Sequence, residues 1–155
     1  MPPLDKLPGP RYGALLQLLR TAEALWNSSR LFFARWDLSP SQFNVLNLLC
    51  DHPDGCTQIE LSRQLIMHRS NVTGLIDRLE QRALLRRTPE TDRRVNRIVL
   101  TAAGAKLVRR ILPEYYRVAE MLWGQLPARR TQRLVADLLA LDGNIQQLSQ
   151  QLERR

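Results

Sequence analysis

Cysteine and histidine are scarce in this chain, with two of each among 155 residues. Cys50 and Cys56 lie six apart without CxxC spacing, and His52 between them does not complete a metal-ligand set. A disulfide framework and a structural zinc are therefore not expected. Both thiols read as reduced side chains of the kind that packs like a small hydrophobe. Long hydrophobic runs are missing too: nothing approaches the roughly 18 uncharged apolar residues of a membrane span. The opening MPPLDKLPGPRYG has no apolar h-region, so a cytoplasmic protein without a secretory signal is expected. Also absent are the nucleophile elbow, the glycine-rich phosphate loop and the HExxH pair. No catalytic residue, cofactor or metal is expected, and the chain does not read as an enzyme.

Acid is the other deficit. Fifteen Asp and Glu stand against 23 Lys and Arg, a net charge of +8, which suggests a polyanionic partner. The excess is concentrated. Between Thr57 and Arg110 there are 12 Lys and Arg against 5 acids, so +7 of the +8 falls in about a third of the chain. With 44% apolar residues, the chain can bury a core as one domain or one body with an appended element.

That basic stretch also carries the clearest local pattern. Ile59, Leu61 and Leu65 mark a short helix, with Thr57 as its N-cap and Glu60 at N3. Val72, Leu75, Ile76 and Leu79 follow at the i, i+3, i+4, i+7 spacing of a buried helical face. The opposite face offers Arg69, Ser70, Asn71, Thr73, Asp77 and Arg78, hydrogen-bonding side chains of the kinds that read base edges and phosphates. Leu84–Thr88 and Arg97–Thr101 then read as two strands flanking a polar tip, Thr91–Asn96. Two helices and a basic hairpin indicate a winged helix-turn-helix that binds double-stranded DNA.

The flanks are helical. After a Pro-rich arm, Arg11 to about Trp36 is one long helical pattern whose apolar surface is broader than one stripe, so it is either central to the core or shared with a partner chain. Ser39, Pro40 and Gln42 form a strong helix start, with Phe43, Leu46, Leu49 and Cys50 as the expected buried face, and His52-Pro53-Asp54-Gly55 as the closing turn. A helix opens at Thr101-Ala102-Ala103-Gly104 and contains Pro113, which is expected to kink it. In the last helix Leu134, Leu138, Leu141, Ile145, Leu148 and Leu152 alternate spacings of four and three, an a/d seam that predicts pairing between subunits rather than packing on the first helix.

These residues resemble the MarR (multiple antibiotic resistance regulator) family of transcription factors over nearly the whole chain. LSPSQFNVLNLL is similar to the helix before the DNA-binding unit, TQIELSRQL to the first motif helix, and RSNVTGLIDRLEQRALL to the recognition helix and its exit. Asp92-Arg93-Arg94, followed by Thr101-Ala102-Ala103-Gly104, matches the wing signature. Ala83 stands where a glycine usually ends the recognition helix, and Gly74 where a long polar side chain is common. The resemblance implies a mainly α (α+β) homodimer. Residues 1–36 would be an arm and dimerisation helix, 37–101 the winged helix-turn-helix domain, and 102–155 C-terminal dimerisation helices. It implies a regulator, in most relatives a repressor, on a pseudo-palindromic operator.

On that resemblance Arg94 is the wing-tip arginine of the minor groove, with Arg93 beside it and Asp92 steadying the loop. Arg69, Ser70, Asn71 and Thr73 are candidate base and phosphate contacts, with Arg78 and Arg63 as phosphate contacts. The resemblance also implies a small aromatic or phenolic anion bound between dimer body and DNA lobe. Trp26, Arg30 and Phe33 are its candidate contacts against a reading as ordinary core, and a buried Arg30 would need an anionic partner. Two other readings remain: a winged-helix adaptor or architectural protein, and a regulator responding to oxidants through Cys50 or Cys56.

Overall fold

The periodicities resolve into helices and one small sheet. The computed structural model describes residues 9–65, 72–89 and 96–154. Among these are α1 (Pro10–Ala34), α2 (Pro40–Cys50), β1 (Cys56–Thr57), α3 (Gln58–Gln64), α4 (Val72–Gln81), β2 (Leu85–Pro89), β3 (Asn96–Leu100), α5 (Ala102–Trp123) and α6 (Ala128–Glu153). The sheet is antiparallel in the order β1-β3-β2. This is the mainly helical winged helix expected. The chain clusters into two compact units, one ending at Arg110 and one beginning at Ile111.

Two capping boxes set the helix starts. Ser39 Oγ accepts from the Gln42 amide at 3.2 Å, and Gln42 Oε1 accepts from the Ser39 amide at 2.8 Å, with Pro40 in the first turn of α2. At α3, Glu60 Oε2 accepts from the Thr57 amide at 2.7 Å while Thr57 Oγ1 accepts from the Glu60 amide at 3.2 Å. The bonds from the Thr57 amide and then its hydroxyl hold the Glu60 carboxyl below its ordinary pKa. A depressed carboxylate stabilises the fold fully above its unfolded pKa, and the contribution disappears as pH falls through the folded value. Glu60→Gln, which keeps the acceptor, is therefore expected to flatten the loss of stability on acidification below about pH 5. Urea titrations of both proteins across that range measure it; parallel curves would show that Glu60 does not drive the loss.

Strand β1 goes beyond the sequence pattern. It pairs Cys56 with Ile98 and Thr57 with Arg97. Gly55, just before it, has φ +78, and a Cβ there would meet the Ile98 carbonyl oxygen at 2.5 Å, so only glycine fits this approach. Phe43, Val45, Leu46 and Leu49 of α2, Leu61 of α3, Val72, Leu75, Ile76 and Leu79 of α4, and Leu85 and Ile98 of the sheet are all buried. Phe33 joins α1 to this core by stacking on Phe43, with centroids 4.4 Å apart. One expectation fails at the margin. Cys50, the last residue of α2, is exposed where the chain turns away, while Val45, outside the expected face, is buried. Ile59 is 63% exposed on the outer side of α3.

Helices α1 and α4 end in the same way. The Leu38 amide bonds the Phe33 carbonyl and the Asp37 amide the Ala34 carbonyl; likewise Leu84 bonds Leu79 and Ala83 bonds Glu80. Each is a Schellman motif, whose C′ residue must be left-handed: Asp37 has φ 52 and Ala83 φ 54. A β-carbon makes that conformation costly. Ala83→Gly is thus expected to raise stability by about 0.5–1 kcal/mol despite the greater freedom of glycine in the unfolded chain. Thermal unfolding checks this, and a lower Tm would contradict it.

Helix α5 runs through Pro113, which has no N–H to donate. Helix α6 contains no buried residue at all.

Candidate nucleic-acid interface

Helix α4 is held by its apolar stripe, which leaves Thr73 and Arg78 exposed on the other side. Both are already oriented. Thr73 Oγ1 accepts from Gln58 Nε2 on α3, so the first motif helix sets the rotamer of a base-reading candidate. Arg78 Nε donates to the Gly74 carbonyl at 2.9 Å, and its Nη2 lies 3.5 Å from where a Cβ on residue 74 would be. The Arg78 guanidinium thus lies along the helix over Gly74, at a distance that a β-carbon there would also tolerate.

Three cations of the basic stretch bond to acceptors of the protein itself and brace this helix and its wing. The Arg87 guanidinium on β2 bonds the Glu80 carboxylate and reaches Asp77 at 2.5 Å, and the Arg87 amide donates to Glu80 Oε1 at 2.9 Å. The bond to Asp77 first, and those to Glu80, raise the Arg87 pKa. Arg82, just past α4, donates to the carbonyls of Asp37 and of Trp36, the latter at 3.3 Å. Arg97 on β3 donates to the Asp54 and Gly55 carbonyls, both at 3.0 Å. Arg86, beside Arg87 on β2, is exposed.

The exit of α4 is clamped to the start of α5. Thr101 Oγ1 donates towards the Ala83 carbonyl at 2.7 Å and lies 3.0 Å from that of Leu84, while accepting from the Gly104 amide at 3.0 Å. A Cβ on Gly104 would sit 2.1 Å from the Leu84 carbonyl oxygen. The Thr-Ala-Ala-Gly signature is thus a packing device as well as a helix start.

Of the predicted DNA contacts, Thr73 and Arg78 share the exposed side of α4, and Arg63 is exposed in the last turn of α3. Arg69, Ser70 and Asn71, and Asp92, Arg93 and Arg94, lie outside the described residues. Sequence reasoning misses Gln58 and the bracing role of Arg87. Alternation lets only some of the wing-strand cations Arg86, Arg87 and Arg97 face DNA, and nothing in the spacing of Asp77 and Glu80 names Arg87 as their partner.

The proposed ligand residues are only partly brought together. A cleft of about 590 Å³ lies between the end of α1 and the start of α2, lined by Arg30, Leu31, Ala34, Asp37, Leu38 and Gln42 among others. Arg30 is exposed there, not buried as expected, so no buried charge demands a counter-ion. Trp26 is 40% exposed and Phe33 is core; neither lines the cleft. The two cysteines are free, and partial desolvation, then Asp51 for Cys50 and Glu60 for Cys56, raises both thiol pKa values. Among the described residues no group of three or more His, Cys, Asp or Glu could hold a metal, and no helix is long and apolar enough to cross a membrane.

Residues 36–95 match the profile of the MarR family. The chain is 30% identical over 115 residues to the transcriptional regulator PapX of Escherichia coli, covering 72% of this chain and 70% of that protein. Among solved structures, it superposes on the S. aureus MepR–DNA complex with a TM-score of 0.75 at 23% identity, covering 86% and 97% of the two chains. It superposes on Bordetella bronchiseptica BpsR, whose DNA binding is regulated by 6-hydroxynicotinic acid, with a TM-score of 0.69 at 24% identity, covering 81% and 98%. At these identities the two structures establish the fold.

Proposed function

This chain belongs to the MarR family of DNA-binding transcriptional regulators, and we propose that it is a cytoplasmic homodimeric repressor of a pseudo-palindromic operator, released by a small aromatic or phenolic anion. Each recognition helix enters a major groove through Arg69, Ser70, Asn71 and Thr73. Arg78 and Arg63 hold phosphates, and Arg94 enters the minor groove, positioned by Asp92 and flanked by Arg93. Residues 37–101 form the reading domain, while residues 1–36 and 102–155 supply the dimer body. The anion occupies the cleft beside Arg30, which of the three candidates Trp26, Arg30 and Phe33 is the one that lines it.

One observation carries this reading: α4 is fixed from several sides yet keeps Thr73 and Arg78 facing outward. Preorganised readers lose little entropy on docking, and the excess of +7 over this stretch supplies phosphate attraction. DNA and ligand enter by analogy with MepR, solved with DNA, and BpsR, regulated by 6-hydroxynicotinic acid. Selection from random duplexes is expected to enrich an inverted repeat. On that repeat Arg94→Ala should weaken binding by about tenfold or more, and affinity should fall steeply with salt. Unchanged affinity for Arg94→Ala would remove the wing tip from the mechanism, and no enrichment would favour the adaptor or architectural reading. The redox reading has less behind it: the two thiols are free and one of them, Cys56, is buried.

A further inference from the structure

We propose that Arg82 is the positioning residue through which occupancy of the α1–α2 cleft reaches the recognition helix. The inference rests on reading that cleft as a ligand site. Asp37 and Leu38 line the cleft, and they are also the residues on which the Schellman end of α1 closes. Arg82, one residue before the C′ position of the matching motif on α4, donates to the backbone carbonyls of Trp36 and Asp37. The Arg82 guanidinium therefore joins the two helix ends, with a left-handed non-glycine residue on each side of it, Asp37 at φ 52 and Ala83 at φ 54. Such positions persist only while their surroundings hold them.

The backbone carbonyls carry the link. The Asp37 carboxylate is 3.7 Å from Arg82 and its side chain is 95% exposed, so water screens that ion pair. A molecule seated against Leu31, Ala34 and Leu38 presses on the last turn of α1, and displacing the Trp36 and Asp37 carbonyls moves or releases Arg82. The next residues along from Arg82 are Ala83 and Leu84, whose carbonyls Thr101 holds at the exit of α4. A change at the cleft thereby alters the anchoring of the reading helix without any contact between ligand and DNA.

A wedge substitution tests this without knowing the ligand. Ala34→Trp fills the cleft from α1, and its effect is compared in the natural background and with Arg82→Met. Two readouts are affinity for the selected inverted repeat and amide exchange across Leu79–Leu84. Ala34→Trp should lower affinity and speed exchange by about fivefold or more, and Arg82→Met should abolish both effects. Asp37→Asn, which keeps the carbonyl, should leave them in place. Arg82→Lys, with one donor centre in place of a fork, should reduce them and serves if Arg82→Met does not fold. No effect of Ala34→Trp, or the same fold-change with and without Arg82, overturns the proposal. If no duplex is enriched, the operator reading fails while the exchange measurement still decides the coupling.

Discussion

Gly104→Ala is expected to lower stability by about 3 kcal/mol or more, roughly a 10 °C drop in Tm for a chain of this size. The sign is what makes the test informative. Inside a helix alanine is normally better than glycine by about 1 kcal/mol. Here the new methyl would lie 2.1 Å from the Leu84 carbonyl oxygen and 2.8 Å from Leu100 Cδ1, where ordinary contact begins at 3.4 Å. Backbone cannot swing aside like a side-chain tip. The Leu84 carbonyl also accepts from the Thr101 amide at 3.1 Å, and the Thr101 hydroxyl caps Gly104. Relief requires separating α5 from the exit of α4, which gives up these bonds and uncovers buried Leu84 and Leu85. Gly143 on α6 is the contrast, since a methyl added there would have nothing within 4 Å. Gly143→Ala should be neutral or stabilising in the same urea titration. If both substitutions behaved alike, the α4–α5 junction would not be the tight contact described, and the recognition helix would have a looser exit.

How much of this is legible in the sequence depends on the range over which each feature acts. The capping boxes at Ser39 and Thr57, the stripe Val72–Leu79 and the hairpin strands are local, and each follows from spacing within a turn or two. Strand β1 has only two residues, too few to show alternation, and exists because β3 offers Ile98 and Arg97 as partners. Cys50 and Ile59 satisfy helical spacing, yet spacing does not say where a helix end leaves the core or how wide its buried face is. The cations are the least legible. Arg82, Arg87 and Arg97 add to the positive count, but their donors go to carbonyls or carboxylates 7 to 46 positions away. Charge is a property of the sequence; direction belongs to the fold. The Arg78–Gly74 pairing shows the same limit at short range, because a glycine in the sequence does not name the side chain that lies over it.

The second large effect concerns α6. Leu138→Glu combined with Ile145→Glu is expected to make the chain monomeric at micromolar concentration and to weaken binding to a full inverted repeat by about a hundredfold or more. In the single chain the whole seam is open to solvent: Leu134, Leu138, Leu141, Ile145, Leu148 and Leu152 are 37–61% exposed. Six such residues from each of two chains would contribute on the order of 10 kcal/mol on burial, before the cost of association is subtracted. Leu15, Leu19 and Leu31 of α1 and Met121 and Leu122 of α5 are exposed as well, so α6 is not the only apolar face available to a second copy. Two glutamates on each strand of the seam would have to be buried opposite their counterparts, and a desolvated like-charge pair outweighs the remaining leucines. Sedimentation equilibrium reads the assembly. Far-UV circular dichroism shows whether the helices persist, and a duplex carrying one half-site separates the two links in the argument. A monomer that still binds the half-site like the natural protein, but no longer gains from the second, would show that the seam sets the spacing of two intact readers. A variant that remains dimeric would move the interface off α6 altogether.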